Sequence, residues 1–437
     1  MKVEVQNTII TLLRSRGQEG VSGLYSCCSA NEYVIRAALR RAKSSGTVAL
    51  VEATANQVNQ DGGYTGMTPA EFRRFLERLA QEEHFPPEKL LCGGDHLGPL
   101  TWQHLPEGEA MAHAEELIRA YVLAGFSKIH IDTSMRVADD DSNARLSDAV
   151  IARRGARLCR AAEDAFGQYR ADHPRAPAPV YVIGSEVPIP GGAQENENSV
   201  AVTAPEDSEA TLNEFRRAFA AQGLEETWDR VVALVVQPGV EFADESVITY
   251  DRPAARALTS TLKKHPGLVF EGHSTDYQPR QCLREMVEDG IAILKVGPAL
   301  TFALREGLFA LEQIERELYQ VNDFPCSQFR AVLEQAMLED QGQWAKYYHG
   351  TMPQRRYARA FSYSDRARYY LTNPKVHGAI RTLLSNLDSA GIPMALLSQY
   401  MPVQYARAHA GRLCPKAADL LIDRVGDCID DYLYAIA

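Results

Sequence analysis

Short apolar runs recur eight times between Val21 and Gly297, and nearly every one is followed by a stretch with helical periodicity. The runs are Val21 to Ser29, Thr47 to Ala53, Leu90 to His96, Lys128 to Asp132, Val180 to Glu186, Val231 to Val236, Leu268 to His273 and Ile291 to Gly297. Val231 to Val236 is apolar at every position, the mark of a strand covered on both faces, as parallel strands under helices are. Between the runs, Val34, Ile35, Ala38 and Leu39 share one helical face, as do Phe72, Phe75, Leu76 and Leu79, and Leu117, Ile118, Tyr121 and Val122. A long helix is expected at 147–171, and an eighth carries Leu304, Leu308, Leu311, Ile314 and Leu318. Thr68-Pro69-Ala70-Glu71 has the form of a capping box with Pro at the first helical position, and Thr203-Ala204-Pro205-Glu206 has the form of another capping box.

Strand and helix alternating eight times predict an α/β fold, a (β/α)8 TIM barrel over 21–318, with an open doubly wound sheet as the alternative. Residues 1–20 form an N-terminal arm with Ile9, Ile10, Leu12 and Leu13, and 319–437 a helical C-terminal extension. Within the extension, Arg355-Arg356-Tyr357 through Arg366-Ala367-Arg368-Tyr369-Tyr370 form an arginine and tyrosine cluster. It reads as a solvated or subunit-contacting face.

Charge and motif content remove several function classes. A formal net charge of −11 argues against a nucleic-acid partner, which needs a basic face. No run reaches the roughly 18 apolar residues of a membrane span, and Met1 to Ile10 is too polar for a secretory signal, so a cytoplasmic protein is expected. The cysteines at 27, 28, 92, 159, 282, 326, 414 and 428 form no C-x-x-C pair and are expected reduced, with Cys27 and Cys28 buried as small hydrophobes. There is no G-x-x-x-x-G-K-[ST] loop, G-x-S-x-G elbow or strand-linked G-x-G-x-x-G, which speaks against a P-loop kinase, an α/β-hydrolase and a nucleotide cofactor of the Rossmann type.

Catalytic groups of such barrels come from the carboxyl ends of the strands, and these ends are polar. They carry Ser26 and Ser29; Glu52, Asn56, Gln57 and Asn59; Asp95 and His96; His130 and Asp132; Glu186; Gln237; Glu271, His273, Ser274 and Asp276; and Lys295. Residues two apart on a strand share a face, which pairs Glu271 with His273 and His130 with Asp132. His96, His273, Glu186 and Glu271 are N and O donors suited to a divalent ion such as zinc, manganese or cobalt. Asn56, Gln57, Asn59 and Gln237 suit sugar hydroxyls, and Gly272, Ser274 and Gly297 offer backbone amides to a phosphate. Lys295 either binds a phosphate or pairs with a carboxylate; a Schiff-base role is the less favoured chemistry beside a metal.

The strings Glu52-Ala53-Thr54, Asn56-Gln57-Val58-Asn59-Gln60, Gly93-Gly94-Asp95-His96-Leu97-Gly98-Pro99, Gly184-Ser185-Glu186-Val187-Pro188, Val236-Gln237-Pro238-Gly239-Val240, His273-Ser274-Thr275-Asp276-Tyr277-Gln278 and Leu294-Lys295-Val296-Gly297-Pro298, with Ser362-Tyr363-Ser364-Asp365-Arg366 further on, resemble the Z-type subunit of tagatose-1,6-bisphosphate aldolase. The resemblance implies a role in galactitol, tagatose or N-acetylgalactosamine catabolism, as an accessory chain that supports a separate catalytic class II aldolase chain. Relatives labelled tagatose-6-phosphate kinase fit poorly with the missing P-loop, and others act alone as metal-dependent ketose 4-epimerases. Asp95 and His96 match the acid and zinc-histidine pair of the distantly similar catalytic aldolases. Gln237 stands where those enzymes have a zinc histidine after the sixth strand, and Glu271 or His273 takes the seventh-strand place.

These readings give two expectations. One is an accessory subunit bound to an aldolase chain, with a homo-oligomer also compatible. The other is a ketohexose or ketohexose-phosphate 4-epimerase in which Asp95, with Glu186, moves protons beside a metal held by His96, Glu271 and His273. The second expects burial and neighbouring carboxylates to raise the Asp95 pKa by about three units from its ordinary ~3.9, making it a competent base.

Overall fold

The computed structural model describes residues 6–16, 22–142, 144–184, 200–322 and 325–437. Eight parallel strands close a barrel: β1 (Leu24–Cys28), β2 (Ala49–Thr54), β3 (Leu90–Leu97), β4 (Lys128–Ile131), β5 (Val180–Ile183), β6 (Val231–Val236), β7 (Val269–Gly272) and β8 (Ile291–Val296). β8 pairs with β1, so the sheet has no free edge and the open-sheet alternative is excluded.

The helices are α1 (Thr8–Arg14), α2 (Glu32–Ser45), α3 (Pro69–Glu82), α4 (Glu107–Leu123), α5 (Asp148–Asp172), α6 (Pro205–Ala221), α7 (Arg252–Thr259), α8 (Arg280–Glu288) and α9 (Pro298–Asn322). The C-terminal part adds α10 (Phe329–Glu339), α11 (Met352–Phe361), α12 (Pro374–Ala390), α13 (Met394–Tyr400), α14 (Pro402–His409) and α15 (Ala417–Ile436). Thr68 caps α3 in the expected box with Glu71. Thr203 does not cap α6: Ala204 holds that position, and the Thr203 hydroxyl accepts from the Gln237 amide at 2.9 Å instead.

Side chains fill the barrel in layers, because alternate residues of each strand point inward. At the amino-terminal end Leu24, Leu50, Leu91, Val180, Val182, Val232, Val269 and Ile293 pack with Ile9, Ile10 and Leu13 of α1. The arm is therefore a plug, held by Asn7, whose side-chain amide donates to the carbonyls of Ser127 and Ala178 at 3.0 Å each. With its lower end sealed by apolar side chains, the barrel opens to solvent where the polar groups lie.

The last helix is part of the barrel wall. α15 packs on α2, α8 and α9; its Tyr432 hydroxyl donates to the Thr275 carbonyl at 2.8 Å, and the Ser22 amide donates to Ile436. Arg40 and Arg41 of α2 meet Asp419, Asp423 and Asp430 of α15. The arginine and tyrosine cluster splits in two: Met352, Tyr357 and Phe361 lie exposed on α11, whereas Arg366 is buried and Arg368 and Tyr369 reach the barrel mouth. Among the described residues no helix is long and apolar enough to cross a membrane.

Candidate functional site

Above the apolar layer the barrel interior turns ionic. Lys128 of β4 is fully buried and spans Glu52 of β2 and Glu271 of β7, with Nζ 2.7 Å from each carboxylate. Lys295 of β8 lies 2.6 Å from Glu52 and 2.5 Å from Asp95 of β3, and the Ser26 hydroxyl donates to Glu52 at 2.5 Å. Gly93 makes room for this layer: a Cβ there would stand 2.8 Å from Cγ of Glu52.

The next layer holds three imidazoles, with ring centroids 4.9 to 5.1 Å apart. Asp95 and His130 face inward by the strand alternation. His96 would face outward by the same rule, but its φ of 48° and a register shift between β3 and β4 turn it in beside Asp95. Left-handed backbone on a non-glycine residue is strained and concentrates at functional positions. Ser274, just after His273, has φ 53°.

Each imidazole is anchored by a carboxylate through one ring nitrogen. His96 Nδ1 is 2.8 Å from Asp132, His130 Nδ1 is 2.9 Å from Asp95, and His273 Nε2 is 2.9 Å from Glu271. At His96 and His273 the carboxylate can take the N–H and leave the other nitrogen a bare lone pair, the arrangement in which histidines bind metals, whereas His130 Nδ1 also accepts the His96 backbone amide at 3.1 Å. Nε2 of His130 is buried without a hydrogen-bond partner, and the Asp132 carboxylate is itself fixed by the amide and hydroxyl of Ser134. Donor atoms of Asp95, His96, His130 and His273 all lie within 4.8 Å of one another, a group able to hold a metal ion.

The electrostatics of the four groups differ. Burial pushes the Asp95 carboxyl up, but Lys295, His96 and His130 outweigh it and hold the pKa well below the ordinary value. This reverses the raised pKa expected from the sequence, because Lys295 crosses the barrel to touch the carboxylate. Burial, set against the Glu271 bond, brings His273 down to about 3, so its ring is neutral. For His96, burial is overcome by Asp95 and Asp132 and the pKa rises. Among the described residues, the buried carboxylates Glu52, Asp95 and Glu271 face the ammonium groups Lys128 and Lys295, and Asp132 faces His96. Lys295 itself stays protonated, since Asp95, Glu52 and Glu271 overcome its burial, which removes the amine a Schiff base requires.

A cavity of about 260 Å³ opens over this layer, lined by Asp95, His96, His273, Ser274, Asp276 and Lys295 from the strand ends and by Asn56, Gln57 and Tyr64 from the β2 loop. Other sequence candidates are placed elsewhere. Ser26 and Glu271 lie in the ionic layer beneath, with Glu271 orienting His273; His130, expected to touch substrate, joins the metal-capable group instead. Asn59 spends its side chain bracing its own loop, on Ala55, Asp61 and Gly63. The Gln237 side-chain oxygen accepts the backbone amides of Gly239 and Val240, so that side chain shapes a turn. The Gly297 amide, expected to be open to a phosphate, donates to Asp276 at 3.1 Å, as does Ala299 at 2.8 Å. Glu186 lies outside the described residues.

Lys128 and Arg368 escaped the sequence reading. Period two already placed Lys128 on the face of His130 and Asp132, so that signal was present. For Arg368 there was none, because its place depends on the chain returning over the barrel mouth.

A closed (β/α)8 barrel sealed at one end, with a histidine and carboxylate cluster at the carboxyl ends of its strands, has the architecture of a barrel with a small-molecule site at its open face. The chain belongs to the D-tagatose-1,6-bisphosphate aldolase subunit GatZ/KbaZ-like family, whose model matches residues 9–437. It is similar to a solved protein of Sinorhizobium meliloti 1021 described as a probable tagatose 6 phosphate kinase, at 47% identity and TM-score 0.85, covering 94% of this chain and 100% of that one. Fructose-bisphosphate aldolase of Campylobacter jejuni is similar at 14% identity and TM-score 0.46 over 88% of this chain and 92% of its own, a likeness that carries no argument about chemistry.

Proposed function

We propose that this chain is itself a catalyst, a divalent-metal-dependent 4-epimerase of a ketohexose or ketohexose phosphate that works by retro-aldol cleavage and re-addition. The observation that carries the reading is the set of three imidazoles, each tied by one nitrogen to its own carboxylate, at the mouth of the barrel. His96, His130 and His273 would hold the ion, and zinc, manganese and cobalt all suit such a donor set. When bound, the ion supplies a Lewis acid for the C2 carbonyl and for the enediolate that cleavage of the C3–C4 bond releases.

The chain's own residues do the rest. Asp95, held ionised by Lys295, would accept the C4 hydroxyl proton and return it after the aldehyde has turned over, as a weaker base than the raised carboxyl expected from the sequence. Lys295 fixes the carboxylate that does this. Asn56, Gln57 and Ser274 line the cavity where hydroxyls would be read. The test is turnover by the full-length, metal-loaded chain alone across ketohexoses and their phosphates: the 4-epimer should form, and Asp95→Asn should abolish it while metal remains bound. A metal-loaded chain that turns over no ketose would refute the reading.

A second reading keeps the chain as the accessory subunit of a class II aldolase. The family description names a subunit, and α11 exposes Met352 at 85%, Tyr357 at 52% and Phe361 at 41%, a surface suited to a partner. Co-purification with the aldolase chain, and a longer aldolase half-life in its presence, would support it. The two readings are compatible, because α11 and the cavity are built from different residues.

A further inference from the structure

We propose that Arg368, delivered by the C-terminal extension, is the group that reads an oxyanion on the far end of the substrate, a task the amides at the start of α9 do not perform. The inference rests on the sugar-pocket reading above and adds the place and the residue of anion recognition.

In a barrel of this kind the amides after the last strands are the ready anion cradle, since a helix N-terminus presents unpaired N–H groups. Here that cradle is already filled. One oxygen of Asp276 accepts both the Gly297 and Ala299 amides, and the carboxyl is buried in the cavity wall. A second anion beside it would meet like charge and find both donors engaged.

Arg368 is placed the other way round. Arg368 lines the same cavity, and all its hydrogen bonds go to neutral acceptors: Nη1 to the carbonyls of Ser364 at 2.5 Å and Asp365 at 3.0 Å, and Nη2 to the Tyr369 hydroxyl at 3.0 Å. Among the described residues no carboxylate lies within ion-pair distance of it. The nearby Asp365 is engaged by Thr301 at 2.6 Å and Arg305 at 3.2 Å. Among the described residues, other arginines withdrawn from water, such as Arg154, Arg305 and Arg359, face a carboxylate. A half-buried guanidinium without one, in a cavity wall with Tyr64, Tyr369, Thr372 and His377, is a donor-rich corner that matches the oxygens of a phosphate ester or a terminal carboxylate.

The experiment is calorimetry on the full-length chain with unreactive probes: a hexitol, its 6-phosphate, and the aldonate of the same length. Wild type should bind one of the two anions about 10- to 100-fold more tightly than the hexitol, the gain of a charge-assisted fork. Arg368→Gln should bring anion and hexitol to within about threefold while hexitol affinity holds, and Arg368→Lys should fall between. Preference for the phosphate or for the carboxylate assigns the substrate's terminal group. Equal affinity for all three probes in wild type, or an undiminished preference in Arg368→Gln, overturns the proposal. Should Arg368→Gln fail to fold, Arg368→Lys decides: its anion preference must drop with hexitol affinity unchanged, or the proposal fails. Because the readout is binding, a chain that binds the 6-phosphate through Arg368 but turns nothing over refutes the epimerase and spares this site. A chain that epimerises a free ketose without anion preference does the reverse.

Discussion

Replacing Lys128 by methionine should cost the fold several kilocalories although it leaves no cavity of note. Lys128 is fully buried and is the only contact within 3 Å that joins Glu52 to Glu271 among the described residues, at 2.7 Å each. Removing one member of a buried ion pair strands its partners in low dielectric, at about 3–5 kcal/mol. With an unfolding entropy near ~2.1 cal/mol/K per residue, a chain of 437 residues that melts cooperatively loses about 3–5 °C of Tm for that cost. The control is Lys375→Met, whose pair with Glu339 is exposed and should be worth under about 1 °C by the same conversion. The double variant Lys128→Met with Glu271→Gln should recover part of the loss, since one stranded charge is gone while Glu52 keeps Lys295 and Ser26. Scanning calorimetry of the three variants under one buffer and scan rate is the assay. A Lys128→Met shift no larger than that of the Lys375 control, or a double variant that melts below the single one, would refute the view that this layer is held by its charges.

Two further outcomes follow from the geometry. Asp132→Asn leaves His96 in place but weakens the bond that fixes its tautomer, so divalent metal affinity, measured by equilibrium dialysis, should fall about 10- to 100-fold with the melting temperature little changed; unchanged affinity would detach His96 from the metal role. Glu107 is held down to about 2 by its bond to Arg153, which with the bond to Arg154 outweighs its burial, so its stabilising contribution is present above its ordinary pKa near 4.5 and is lost as pH falls toward 2. Glu107→Gln should therefore be less stable than wild type at pH 7, with the gap closing on acidification; a gap that widens would contradict that sign.

The sequence made the scaffold legible because short apolar runs alternate with stretches of period near 3.6, so the eight units and the apolar positions of the N-terminal arm could be read, though not that the arm plugs the barrel. The same period exposed His130 with Asp132 and Glu271 with His273. What it could not show was contact between strands distant in sequence. Lys295 meets Asp95 across the barrel at 2.5 Å, and with His96 and His130 it turns the expected rise in the Asp95 pKa into a fall. His96 breaks the alternation through its positive φ, which no spacing encodes. Gln237 and Asn59 looked like sugar ligands by residue type, yet their loops consume them, since a buried turn must satisfy its own amides first. Arg368 enters the cavity only because the extension folds back over the barrel.

The most direct measurement is the reaction of the metal-loaded chain with a ketohexose 6-phosphate in D2O, followed by proton and deuterium NMR of the C4 position. Cleavage of the C3–C4 bond leaves the C4 hydrogen on the aldehyde throughout, so the 4-epimer should appear with its C4 proton retained and no deuterium there. Deuterium at C4 would mean that the C–H bond, not the C–C bond, is broken. No epimer from this phosphate or from the free ketohexoses would mean that the cluster of His96, His130 and His273 is not a catalytic centre in this chain.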